Sequence, residues 1–165
     1  GSCSPMATAT VICAMMVAPQ SGPYLVPTQQ AGRDFVMRGM QGEVIMLNLL
    51  RFRETADYSA APELAPESPI RGAEAFDRYI RHTLPFLHQS GGELMFLGAG
   101  GSFLIGPEQE RWDLAMLVRQ SSAEAFLAFA KNKDCMAGLG HRTAAVEDSR
   151  LLPLSQISSF VGSIN

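Results

Sequence analysis

The nine residues Val44–Phe52 (Val-Ile-Met-Leu-Asn-Leu-Leu-Arg-Phe) constrain the fold more than any other stretch of the chain. In a strand, side chains alternate, so Val44, Met46, Asn48, Leu50 and Phe52 share one face and Ile45, Leu47, Leu49 and Arg51 the other. Both sets are mostly apolar, and a strand of that kind needs cover on both sides. The same double pattern recurs at Leu94–Ala99 and Leu114–Arg119. The expected centre of the molecule is therefore a sheet buried on two faces.

Size and charge bound the rest. A chain of 165 residues with 47% hydrophobic content makes one domain with a substantial core. A net charge of −3 and no run of Lys and Arg exclude nucleic acid as a partner, because phosphate neutralisation requires a basic stripe. Cys3, Cys13 and Cys135 are odd in number and scattered, with no CxxC or Cys/His ligand spacing. They predict neither a disulfide framework nor a metal site, and they suit a reducing, cytoplasmic setting.

At the N-terminus, Gly1-Ser2 reads as a cloning scar and Met6 as the native start. Ala7–Ala18 is apolar, but no basic residue precedes Arg33, so a secretory signal would lack its positive leader. A dozen apolar residues are too few to span a bilayer, so no membrane partner is expected. Thr10–Val17 is read as an added strand or docking arm, with a remnant of an export signal as the alternative. The expected division is an extension over 1–23, a domain over 24–155 and a tail over 156–165.

Within the domain, Thr28 is placed to cap a helix running to Met37. Glu54–Ile70, with three prolines, predicts a long surface loop. Gly72–Gln89 carries Ala73, Phe76, Ile80, Leu84 and Leu87 at helical spacing, with Pro85 as a kink and Ser90-Gly91-Gly92 as the stop. Strands over Glu93–Ala99 and Arg111–Arg119 follow, joined through Gly100-Gly101 and Gly106-Pro107. Ser121 and Glu124 have capping-box spacing for a second helix, with Ala125, Phe126 and Phe129 inward. Short helical turns over Asp134–Val146 lead to a last strand at Ser149–Leu154. The order β-α-β-β-α-β is the ferredoxin-like plan, an α+β fold with an antiparallel sheet. Two helices cover one face of four strands, so a second copy of the chain, sheet against sheet, is expected on the other.

Met46-Leu47-Asn48-Leu49-Leu50-Arg51-Phe52, Gly72-Ala73-Glu74-Ala75-Phe76 with Tyr79, Gly91-Gly92 and Leu104-Ile105-Gly106-Pro107 occur in that order. Arg111-Trp112-Asp113, His141-Arg142-Thr143-Ala144-Ala145 and Asp148-Ser149-Arg150-Leu151 complete the set. Together they resemble a small uncharacterised family of the dimeric α/β-barrel superfamily, over roughly Tyr24 to Leu154. The resemblance implies the fold and a homodimer and no established activity. The superfamily includes cofactor-independent monooxygenases, haem-degrading enzymes, lactone isomerases and non-catalytic stress-response dimers, with ligands held between sheet and helices. Asn48 resembles the first-strand Asn of the haem degraders. Their Trp has no counterpart at Gln120–Phe126 and no His follows until His141, so haem cleavage is set aside.

Each chemical candidate has a structural alternative. Asn48, mid-strand among apolar residues, either orients a ligand or bonds nearby backbone. Arg51 is expected to pair with an acid at the strand end. Tyr79 and His82, three apart on a helix, share one side and form a candidate pocket wall; the alternative is a packed Tyr and a surface His. Asp113 beside Trp112 is either a base raised in pKa by burial or the partner of Arg111 or Arg142. Arg142 either binds an acidic ligand group or joins His141, Glu147, Asp148 and Arg150 in an ion-pair network. The predicted ligand-binding set is Asn48, Tyr79, His82 and Arg142, with Asp113 and His82 as weak catalytic candidates and no cofactor called for. Two classes fit: a small-molecule-binding dimer without turnover, or a cofactor-free monooxygenase or isomerase for an aromatic or enolic substrate.

Overall fold

Thr28 acts as its position predicts: its hydroxyl accepts the Ala31 amide hydrogen and caps α1, Gln29–Met37. The computed structural model describes residues 23–163, so the arm expected over Thr10–Val17 lies outside the described residues. β1 spans Val44–Phe52. A long loop with one short 3-10 turn at Pro62–Leu64 leads to α2, Gly72–Gln89. Gly72 makes that entry possible: a Cβ there would lie 2.2 Å from the Arg53 carbonyl oxygen. At the other end Gly91 adopts φ +84°, a left-handed conformation that suits glycine after a helix.

The buried stripe of α2 is Gly72, Ala75, Phe76, Thr83 and Leu87. Ala73, expected inward, is exposed. The first turn of the helix is pressed against the end of β1 and against Ala145, which turns Ala75 inward and Ala73 out.

β2, Glu93–Ser102, and β3, Arg111–Gln120, form a hairpin longer than expected, because β2 continues through Gly100-Gly101. α3, Ala123–Lys131, is capped by Ser122, whose hydroxyl accepts the Ala125 amide hydrogen; Ser121, the expected cap, donates to the Ser90 carbonyl. α4, Lys133–Met136, and α5, Leu139–Ala145, precede β4, Val146–Leu154, and a final turn α6, Phe160–Ser163.

The sheet is antiparallel throughout with order β2-β3-β1-β4, the ferredoxin-like topology expected from the sequence. Register assigns the faces. Val44, Met46, Asn48 and Leu50 lie opposite Gln120, Val118, Met116 and Leu114. This face meets the helices: Leu50 and Met116 pack with Ala75, Phe76, Ala144 and Val146, while Val44 and Met46 pack with Met40, Phe35 and Phe126. The second set, Ile45, Leu47 and Leu49 with Leu117, Ala115 and Leu152, belongs to neither core cluster. Phe96 of β2 lies opposite Leu117 on that same face and is 55% exposed.

No helix among the described residues is long and apolar enough to cross a membrane.

Candidate functional site

The helix layer holds most of the predicted polar candidates. Asn48 sits mid-β1 between Met116 and Leu151, on the helix-facing side. Its Nδ2 donates to the Met46 carbonyl at 3.2 Å, a local bond to the strand's own backbone. Tyr79 comes from α2, tilted against Phe76 at 5.4 Å between ring centroids. Burial pushes its hydroxyl above the ordinary tyrosine value, and the positive charge of Arg142 draws it partly back.

Arg142 is carried by α5 into the interior. One guanidinium nitrogen, Nη1, donates to the Leu25 carbonyl at 2.9 Å, and Nη2 donates to Ser149 Oγ at 3.4 Å. Burial lowers its proton affinity below the usual guanidinium value, opposed by Tyr79. None of the ion pairs among the described residues involves it.

The acids expected beside Arg142 are used elsewhere. Asp148 accepts Arg150 Nη1 at 2.8 Å and lies 3.7 Å from Arg51; Glu147 is 3.4 Å from Arg51. Burial raises the Asp148 carboxyl, but the amide hydrogens of Tyr24 and Ser149 and the Arg150 guanidinium outweigh it and hold the pKa below the usual value. Arg150 stacks over Tyr24 and Trp112, with its guanidinium carbon 4.6 and 4.9 Å from the ring centroids. Trp112 is buried. Strand alternation groups it with Leu114 and Met116, yet its ring meets Arg51 and Arg150, whose ladder positions belong to the other face. The cause is local: the β1–β3 ladder ends at Leu50, where Asp113 Oδ2 accepts the Phe52 amide hydrogen at 2.8 Å.

Both catalytic candidates are engaged in such bonds. Asp113 holds the Phe52 amide and lies 3.5 Å from Arg111. His82 Nε2 donates to the Asp134 carbonyl at 2.8 Å, and Gly138 packs so closely on its ring that a Cβ would stand 2.2 Å from Cδ2. His82 thus ties α2 to the α4–α5 segment. A pair not singled out from the sequence is Tyr58–His141: the Tyr58 hydroxyl and His141 Nδ1 share a hydrogen bond of 2.8 Å and the rings meet edge to face. Tyr58 is a buried anchor in a proline-rich loop, and an aromatic among small residues was the only sign of it.

Two surface concavities stand out. One of about 330 Å³ runs along the outer side of α2 past Arg71, Glu74, Asp77 and Arg81; one of about 400 Å³ lies by Gln41, Glu43 and Ser155–Ser158. Neither is lined by Asn48, Tyr79, His82 or Arg142. Among the described residues no group of three His, Cys, Asp or Glu side chains is placed to hold a metal ion.

No protein-family model matches the chain, and no curated protein does. Solved structures do. The methylated RPA0582 protein is 32% identical with a TM-score of 0.73, covering 82% of this chain and 96% of that one. The RPA0582 protein of unknown function from Rhodopseudomonas palustris is 31% identical with a TM-score of 0.72, covering 84% of this chain and 100% of that one. A dimeric protein of unknown function with a ferredoxin-like fold from Bacteroides fragilis is 11% identical with a TM-score of 0.44, covering 70% of this chain and 98% of that one. At that identity and coverage, the chain belongs to the uncharacterised family that includes RPA0582, and it shares that family's fold over nearly the whole domain.

Proposed function

We propose that the chain works as a homodimer, sheet against sheet, and that each protomer binds a small organic molecule between its sheet and helices without turning it over. The binding is carried by one observation: Arg142 is partly buried, and its acceptors among the described residues are both neutral, Leu25 O and Ser149 Oγ. A buried cation without a counter-charge is costly, and an acidic ligand group would supply one. Tyr79 is the second polar group of the proposed site; Asn48, bonded to its own strand, and His82, bonded to the Asp134 carbonyl, complete the set.

The dimer is supported by the second face of the sheet. Ile45, Leu47, Leu49, Leu117, Phe96 and Leu152 share one apolar face, on which Phe96 and Leu152 are exposed and the others half-buried, and such a face suits a partner surface. The cofactor-free enzyme reading has less support, since Asp113 and His82 are both committed to backbone groups and leave no free base at the proposed site.

Native mass spectrometry of protein purified from its own host tests both parts. The expected species is twice the 17.8 kDa chain plus a retained small molecule. A bare monomer, confirmed by sedimentation equilibrium, overturns the reading.

A further inference from the structure

The segment Pro23–Val26 is tied across β4 by polar contacts that converge on Arg142. The Tyr24 amide donates to Asp148 Oδ1 at 2.8 Å, and the Tyr24 carbonyl accepts both the Ser149 amide at 3.1 Å and the Ser149 hydroxyl at 2.5 Å. The Tyr24 ring lies under Arg150, and the next carbonyl, that of Leu25, takes the Nη1 hydrogen of Arg142. Leu25 is the side chain of this segment that packs on the core cluster. The arrangement places a neutral carbonyl where a guanidinium fork is built to hold two oxygens.

We propose, building on the binding function above, that the ligand is an organic carboxylate held by Arg142 and Ser149, and that Pro23–Val26 is a strap whose Leu25 carbonyl keeps its place until it binds. A carbonyl satisfies one nitrogen of Arg142 and leaves the charge uncompensated; a carboxylate satisfies both nitrogens and the charge. Ser149 links the two states, because its hydroxyl donates to the strap at Tyr24 and accepts from Arg142 Nη2. When the strap leaves, that hydroxyl is free to donate to the incoming carboxylate. Leu25 and Tyr79 pack on the same core cluster, and such apolar and aromatic surroundings favour a carboxylate on a planar ring over a bare inorganic anion.

The test titrates the full chain calorimetrically with benzoate, with inorganic phosphate as the control anion. Benzoate is expected to bind the unaltered chain weakly and Tyr24→Ala about tenfold more tightly, since that change removes the ring by which the strap stacks on Arg150 and leaves Arg142 and Ser149 in place. Arg142→Gln should weaken benzoate about tenfold or more in either background. In the unaltered chain, benzoate should also speed exchange of the Ser149 amide hydrogen, a readout that needs no variant. Arg142-dependent binding with no gain in Tyr24→Ala and no change at Ser149 overturns the strap. Binding that ignores Arg142, or phosphate binding as well as benzoate, overturns the carboxylate assignment. If native mass spectrometry then still finds a retained molecule whose acidic group is not a carboxylate, the binding function stands and only this inference falls.

Discussion

The two faces of the one sheet are alike in sequence and unlike in the fold. On the helix side, Val44, Met46 and Leu50 are at most 2% exposed. On the other side, Phe96 and Leu152 are 55% and 52% exposed, although they sit on equally apolar ladders. Alternating hydrophobicity therefore records that a surface must leave water, and it does not record what takes the water's place. The helix side is closed by elements of the same chain, whereas Ile45, Leu47, Leu49 and Leu117 on the open side belong to neither core cluster of the described residues.

The largest effects should come from the closed side. Phe76→Ala removes the largest fully buried side chain and should cost about 3–5 kcal/mol, read as a fall in the urea midpoint at constant slope. Leu49→Arg on the open side sharpens the comparison. It should leave a folded chain and halve the sedimenting mass from twice 17.8 kDa to one chain, because the charge lands on the proposed partner surface. An unfolded Leu49→Arg protein would mean that the chain itself closes the second face.

Asp148→Ala strips a buried carboxylate of its bonds to Tyr24, Ser149 and Arg150 and should cost about 1–3 kcal/mol, most of it lost from the N-terminal strap. Asn48→Ala is expected to cost about 1 kcal/mol or less, the worth of a single local hydrogen bond. A loss of several kcal/mol would make Asn48 a core determinant and remove it from the ligand set.

The smallest effect is a pH dependence. Burial, then the charges of Arg78 and His82, holds the His141 pKa below the ordinary 6.5. The unfolded chain therefore binds more protons between the two values, so stability is complete above about 6.5 and declines as pH falls through the folded value. Arg78→Gln removes one of the two charges and should flatten this slope. Comparison of urea midpoints at pH 5 and pH 7 checks it, and an unchanged slope would remove the Arg78 charge from the account.

Local features were legible to within a residue or two. Thr28, Ser90-Gly91-Gly92 and the β1 run mark their elements directly, because caps, left-handed turns and alternation depend on neighbours along the chain. Ser121 is the cap that the spacing predicts, but the Ser90 carbonyl engages its hydroxyl and Ser122 caps the helix instead. The candidate site was legible only as a list of residues. Arg51 found its acids at the strand end, as its position predicts. Arg142 did not join them: the helical turn of α5 carries it to the other side of β4 from Arg150 and Asp148.

Sequence alone determined the element order, the two apolar faces of the strands and hence the ferredoxin-like plan, because periodicity and chain-local sterics are written residue by residue. Tertiary structure alone decided that Tyr58 meets His141 across 83 positions and that the carbonyl of Leu25 reaches Arg142 across 117. It also decided that Asp113 serves the Phe52 amide instead of standing free. Such contacts depend on which atoms are brought together when the sheet closes and must satisfy buried donors and charges at that moment.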